Sequence, residues 1–240
     1  MDVRKGVEFL AGLYDSEAGL LREYQGHPVY FFYNDNYLAL HILEEHGYDD
    51  LCRRIRDTFN SHRIPTSGNG RIEIWLKNKI KYPPRYAEPY LVNYAGGPVL
   101  LDERCRERSI WQRDDEWKYC ADMLLMGVVE RWLEKKEKEY PNLWESAKRM
   151  FKENLGMIDK KFEETEKQGK EPLFETYKLA LLLLTAKIIR ESVDEPRITE
   201  ILDKMQSENG GITTHYDRDL IPLGRQNVET TCLAIYAATS

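Results

Sequence analysis

Four stretches of this chain are apolar around most of their circumference, and each is preceded by a stretch that is apolar on one face only. YLALHIL, CADMLLMGVV, YKLALLLLTAKII and TTCLAIYAA are of the first kind. CRRIRDTF, LWESAKRMFKEN and RITEILDKMQSEN, together with the N-terminal Val3–Leu13, are of the second. A helix that is apolar all round must be enclosed, whereas one with a charged face lies at the surface. Period-3.6 spacing places helices over Val3–Leu13, Asp35–Glu45, Asp50–Ser61, Asp115–Glu139, Asn142–Asn154, Phe174–Glu191, Pro196–Ser207 and Asn227–Ala238. Gly47 and Gly156 are expected to stop the second and fifth, Pro141 to close the fourth, and Pro196 to sit in the first turn of the seventh. The even-numbered helices should be inner and the odd-numbered ones outer.

The inner helices align on one alanine: Ala39, Ala121, Ala180 and Ala234. Five residues earlier stand Asn34, Glu116, Glu175 and Glu229. The ends of outer helices align too, at Gly12-Leu13-Tyr14-Asp15, Gly156-Met157-Ile158-Asp159 and Gly211-Ile212-Thr213-Thr214. One helical-hairpin unit therefore recurs four times. The expected fold is all-α, an α/α array of about four hairpins in a single domain over 1–240. An insertion at about 62–113 interrupts the second unit. Within it RIEIWLK alternates like a strand, and PYLVNY is the candidate to pair with it in a β-hairpin.

Charge narrows the partners. With 35 Lys and Arg against 41 Asp and Glu, the net charge of -6 argues against nucleic acid, whose binding needs a basic face. The longest apolar run is too short to span a membrane. Cys52, Cys105, Cys120 and Cys232 form no C-x-x-C pair and have no histidine at zinc-finger spacing, so they are read as reduced thiols. No secretory leader is legible at the N-terminus, and a cytoplasmic location is expected. Five glutamines against abundant Glu, Lys and Arg give the composition a thermophilic lean. No G-x-G-x-x-G or P-loop sequence is present, so no cofactor is expected. Asp114, Asp115 and Glu116 are adequately explained by helix capping, and no metal site is assigned.

The hairpin pattern resembles the α/α-toroid folds. ENGGITTHYDRDLIPLGRQNVETTCLAIYA is similar to hairpins of the terpenoid cyclase, protein prenyltransferase and complement thioester-domain superfamily. DSEAGLLREYQGHPVYFFYNDNYLALHIL is similar to hairpins of six-hairpin glycosidases and sugar epimerases. A cyclase D-x-D-D motif and a thioester C-G-E-Q motif are both absent. Such toroids usually have five to seven hairpins, so four imply either a smaller closed ring or an open array. An open array leaves an edge for a partner, including a second copy of the chain.

The resemblance implies that the loops entering the inner helices form a cup at one end. Asn34, Asp35, Glu116, Glu175 and Glu229 would then share a rim. Two readings stand for these residues. Carboxylates at helix starts favour the N-terminal dipole and free N–H groups whatever the function. Deviations from the repeat point instead to chemistry: Asp35 inside Tyr33-Asn34-Asp35-Asn36-Tyr37, His215 and Arg225 ahead of Glu229, and Trp111 ahead of Glu116. Acids with aromatic rings suit a sugar-like ligand. On that reading Asp35 and Glu229 supply a carboxyl pair for glycoside hydrolysis, or His215 the base for epimerisation. Tyr33, Asn34, Trp111, Glu116, Glu175 and Arg225 would contact the ligand. The alternatives are a non-catalytic scaffold holding a peptide or protein, and an isoprenoid pocket of the cyclase type.

Overall fold

The longest uninterrupted apolar segment sets the centre of the molecule. In the computed structural model, which describes residues 1–26, 31–61, 89–92, 99–102, 116–135, 139–152 and 154–240, it forms a helix with twelve of its fourteen residues buried. For Tyr33, Glu116, 89–92 and 99–102 the description is of the backbone. The helices are α1 (Val3–Gly12), α2 (Tyr33–Glu45), α3 (Asp49–Ser61), α4 (Ala121–Leu133), α5 (Tyr140–Met150), α6 (Lys160–Lys167), α7 (Thr176–Ile189), α8 (Glu195–Met205) and α9 (Val228–Thr239). Asp2, Asp159, Asp194 and Asn227 cap α1, α6, α8 and α9 by accepting a backbone N–H three residues on.

The enclosed helices are those the sequence singles out. α7 packs between α4 and α9, and α9 between α7 and α2. The amphipathic helices cover them: α1 lies on α9 and α2, α3 on α2, α5 on α4, and α8 on α7. Their buried residues join into one core. No helix among the described residues is long and apolar enough to cross a membrane.

Several boundaries differ from the sequence reading. The expected helix Asp115–Glu139 is a 3-10 turn at Glu116–Tyr119 followed by α4, which starts at Ala121 and ends at Leu133. Pro141 lies in the first turn of α5, where its missing N–H has no intrahelical partner to lose. The segment after Met150 turns into the strand pair β6 (Phe151–Lys152) and β7 (Gly156–Met157), and α6 is an additional short helix. The repeat therefore shifts in its second unit. Gly127, not Ala121, occupies the seventh position of its inner helix, as Ala39 and Ala234 do in α2 and α9. The Trp117 ring explains the glycine, because a Cβ there would lie 2.8 Å from it.

Short strands frame the helix starts. β1 (Tyr14–Asp15) pairs with β2 (Leu20–Leu21), and β8 (Phe174–Glu175), β9 (Thr213–Tyr216) and β10 (Pro222–Gln226) form an antiparallel sheet in the order β10-β9-β8. In the insertion, β4 (Pro89–Val92) pairs antiparallel with β5 (Val99–Asp102), which runs parallel to β3 (Phe31–Phe32) and packs on α2. The strand that meets Pro89–Val92, the described part of PYLVNY, is thus VLLD. RIEIWLK lies outside the described residues, as does the rest of 62–113 apart from β4 and β5.

Candidate functional site

Each of the four inner helices brings an acid at its start. Asp35, Asp122 and Glu229 lie in the first turns of α2, α4 and α9, and Glu175 is the N-cap residue of α7. Their proximity is registered by the groups between them. Tyr177, in the first turn of α7, donates its hydroxyl to Asp122 Oδ2 at 3.4 Å. Burial, and then the negative charges of Asp122, Glu175, Glu229 and Asp159, drive its pKa far above the ordinary range, so this phenol stays protonated. The Cys232 thiol of α9 is likewise pushed up, by burial first and then by Asp35 and Glu229. Three carboxylates of the helix starts thus bear on one phenol, and two on one thiol.

A second group of charges lies next to Tyr177 in α7. Lys178, in the first turn of α7, is buried between Asp159 Oδ2 at 2.7 Å and Glu175 Oε2. Burial opposes its charge, but the bonds to Asp159 and Glu175 outweigh it and raise its pKa. Asp159 also accepts from Ala121 N at 3.0 Å and Phe162 N at 3.3 Å, so one carboxylate joins the starts of α4 and α6 to α7. Glu175 Oε1 accepts from Lys161 Nζ at 2.6 Å. Burial would raise the Glu175 pKa, but Lys161 and Lys178 together hold it down, so it is a carboxylate at neutral pH.

His215 reaches this group across the sheet. Glu175 and His215 are register partners on β8 and β9, with Nε2 3.9 Å from Glu175 Oε1. Nδ1 sits 2.9 Å from Thr214 Oγ1. Burial lowers the His215 pKa and outweighs the pull of Glu175, with Lys161 and Lys178 adding to the lowering, so the ring is neutral at pH 7. The strand is fixed by its neighbour Tyr216, which stacks on Phe174 at 5.3 Å and donates to Leu155 O at 2.8 Å. Glu175, Lys178, His215, Asp159 and Leu173 line a cavity of about 230 Å³.

The first and last loops also meet. Val228 N donates to Glu23 O at 2.9 Å, and the Arg225 guanidinium lies 4.4 Å from the centre of the Tyr24 ring. Asn36, one residue past Asp35, is fully buried. It donates to Leu21 O and Phe32 O and accepts from Leu21 N at 2.7 Å, holding β2 against α2.

Of the residues singled out from sequence, the structure brings His215 to 3.9 Å from Glu175, while the charges of Asp35 and Glu229 both act on the Cys232 thiol and those of Glu175 and Glu229 on Tyr177. Asp35 is buried, Asn34 half-buried and Glu229 exposed. Arg225 is engaged by the Tyr24 ring. Trp111 lies outside the described residues, and for Tyr33 and Glu116 only the backbone position is described. Glu116 falls in the 3-10 turn ahead of α4, so Asp122 holds the place assigned to it, five residues before Gly127 as Glu229 is before Ala234. Sequence reasoning also passed over Lys178. A cation near the start of a helix apolar all round requires a buried carboxylate, and that was the available signal. Among the described residues no group of three or more His, Cys, Asp or Glu is arranged to hold a metal ion. No family model, curated protein or solved structure matches this chain.

Proposed function

We propose that the four hairpins form a small α/α toroid whose mouth, at the starts of the inner helices, binds a sugar-like polyhydroxylated ligand and acts on it as a hydrolase or epimerase. The packing order α4–α7–α9–α2 supports a continuous row of inner helices, as in a partial toroid. The observation that carries the site is the Tyr177 hydroxyl bonded to Asp122, with the charges of Glu175 and Glu229 near enough to help hold it protonated. Ionised carboxylates accept hydrogen bonds from sugar hydroxyls, and the Tyr177 oxygen, whose proton goes to Asp122, can accept one as well. Asp35 is buried and Glu229 exposed, and two carboxyls in unlike surroundings are what glycoside hydrolysis uses for its acid and base roles. A neutral His215 beside a carboxylate is equipped to take a proton, which epimerisation requires.

The test is turnover of an oligosaccharide panel, read as reducing-end release and as epimer formation. Asp35→Asn and Glu229→Gln should abolish release if the reaction is hydrolysis, and His215→Gln should abolish epimer formation if it is epimerisation. Binding without turnover would favour a scaffold in which the acids only hold the ligand. The commitment of Glu175 to two lysines supports that second reading. An isoprenoid ligand fits less well, because the described residues at the mouth are acids.

A further inference from the structure

Lys161 and His215 compete for one atom. Glu175 Oε1 accepts from Lys161 Nζ at 2.6 Å, and the same oxygen lies 3.9 Å from His215 Nε2. The second distance is beyond hydrogen bonding. Glu175 Oε2 is held by Lys178, so lysines take both oxygens of the carboxylate. The His215 ring instead meets Thr214 Oγ1 through Nδ1 at 2.9 Å.

These contacts bear on where the imidazole carries its proton. A neutral ring has one N–H, and the partners of its two nitrogens decide which of them holds it. A bond from His215 to Glu175 would need the proton on Nε2, because a carboxylate only accepts. The other charges lining the cavity are Asp159, held by Lys178 and two backbone N–H groups, and the exposed Glu171. From β10 the register partner of His215 is Leu223, which adds no charge. Glu175 favours the protonated ring, while Lys161 and Lys178 oppose it. Lys178 is enclosed, with 5% of its side chain exposed, whereas Lys161 is 71% exposed and can be replaced without opening the core.

We propose that Lys161 is a positioning residue for His215: by occupying Glu175 Oε1 it leaves the ring proton on Nδ1, donated to Thr214 Oγ1, and keeps the Nε2 lone pair bare. The role rests on the reading of His215 as a base, because only a bare nitrogen can take a proton. Long-range ¹H–¹⁵N correlation spectra of the whole chain with ¹⁵N-labelled histidine test it, with the His215 signals identified by their loss in His215→Gln. At pH 8 and low salt the parent should show a protonated Nδ1 and a bare Nε2. Lys161→Gln should move the ring towards the Nε2–H form and raise the pH at which it takes up a second proton. The Lys161 and His215 nitrogens are at most about 6.5 Å apart, the two contacts to Oε1 laid end to end. A unit charge at that range changes proton binding by about threefold even at the dielectric of water. The doubly protonated fraction on the alkaline side of the titration should therefore rise by about threefold or more. Lys161→Arg, which keeps a cation beside Glu175, should behave like the parent. The spectra are recorded without sugar, so their result is separate from that of the turnover assay. An Nε2–H ring in the parent, a ring unchanged by Lys161→Gln, or Gln and Arg variants that behave alike would each overturn the proposal.

Discussion

The Lys178 ammonium lies 2.7 Å from the Asp159 carboxylate, and both side chains are almost wholly enclosed. Breaking such a pair leaves one charge buried and uncompensated. Lys178→Met should therefore lower unfolding stability by about 3–5 kcal/mol. Asp159→Ala should be at least as damaging, since the N–H groups of Ala121 and Phe162 lose their acceptor as well. Urea denaturation of each variant measures both. A Lys178→Met variant within about 1 kcal/mol of the parent would show that the pair adds no more than an exposed one does.

The same cluster sets a pH dependence with two arms. Burial lowers the folded-state pKa of His215, so near pH 6.5 and below the unfolded chain takes up a proton that the folded chain resists. Stability should fall as pH drops from about 6.5 towards the folded pKa of His215, and His215→Gln should flatten that arm. Glu175 is lowered as well, by its lysines, so its contribution is present above the unfolded value of about 4.3 and disappears as pH falls through its lower folded pKa. Thermal melts of the parent, His215→Gln and Glu175→Gln across pH 3–8 separate the arms.

Asn36 is enclosed and makes three hydrogen bonds that join α2 to Leu21 and Phe32. Asn36→Leu fits the volume but leaves buried backbone groups unpaired. A loss of about 2–3 kcal/mol is expected in denaturant unfolding.

Thiol reactivity follows from burial. The Cys52 pKa is pushed up to about 11, mainly by burial, and Cys232 is raised further by burial together with Asp35 and Glu229. Neither side chain is exposed. Iodoacetamide at pH 8 should leave both unmodified in the folded protein and label them in urea, as read by peptide mass spectrometry.

The inner helices were legible because enclosure demands apolar residues on every side, as in Leu179–Leu184, and helix starts because Asn227 and, for the outer α8, Pro196 announce them. Asp35, Glu175, Glu229 and His215 could be placed near helix starts for the same reason. The second unit was misread because Asp115–Tyr119 carries no breaker, while Trp117 packing on Gly127 fixes where the helix begins. Two-residue strands such as Phe174–Glu175 are too short to alternate, so the cross-strand meeting of Glu175 with His215 left no local trace. Long-range pairs such as Asp159 with Lys178 depend on which helices pack together, which periodicity does not specify.

The central claim is that the carboxylates around Tyr177 form a ligand site, and tyrosine ring NMR tests it directly. With ¹³C-labelled tyrosine, the Tyr177 signal, identified by its loss in Tyr177→Phe, should shift saturably with at least one member of an oligosaccharide panel. That shift should vanish in an Asp122→Asn, Glu229→Gln double variant that remains folded. A Tyr177 signal that no sugar moves, or one that moves equally in the double variant, would contradict the claim.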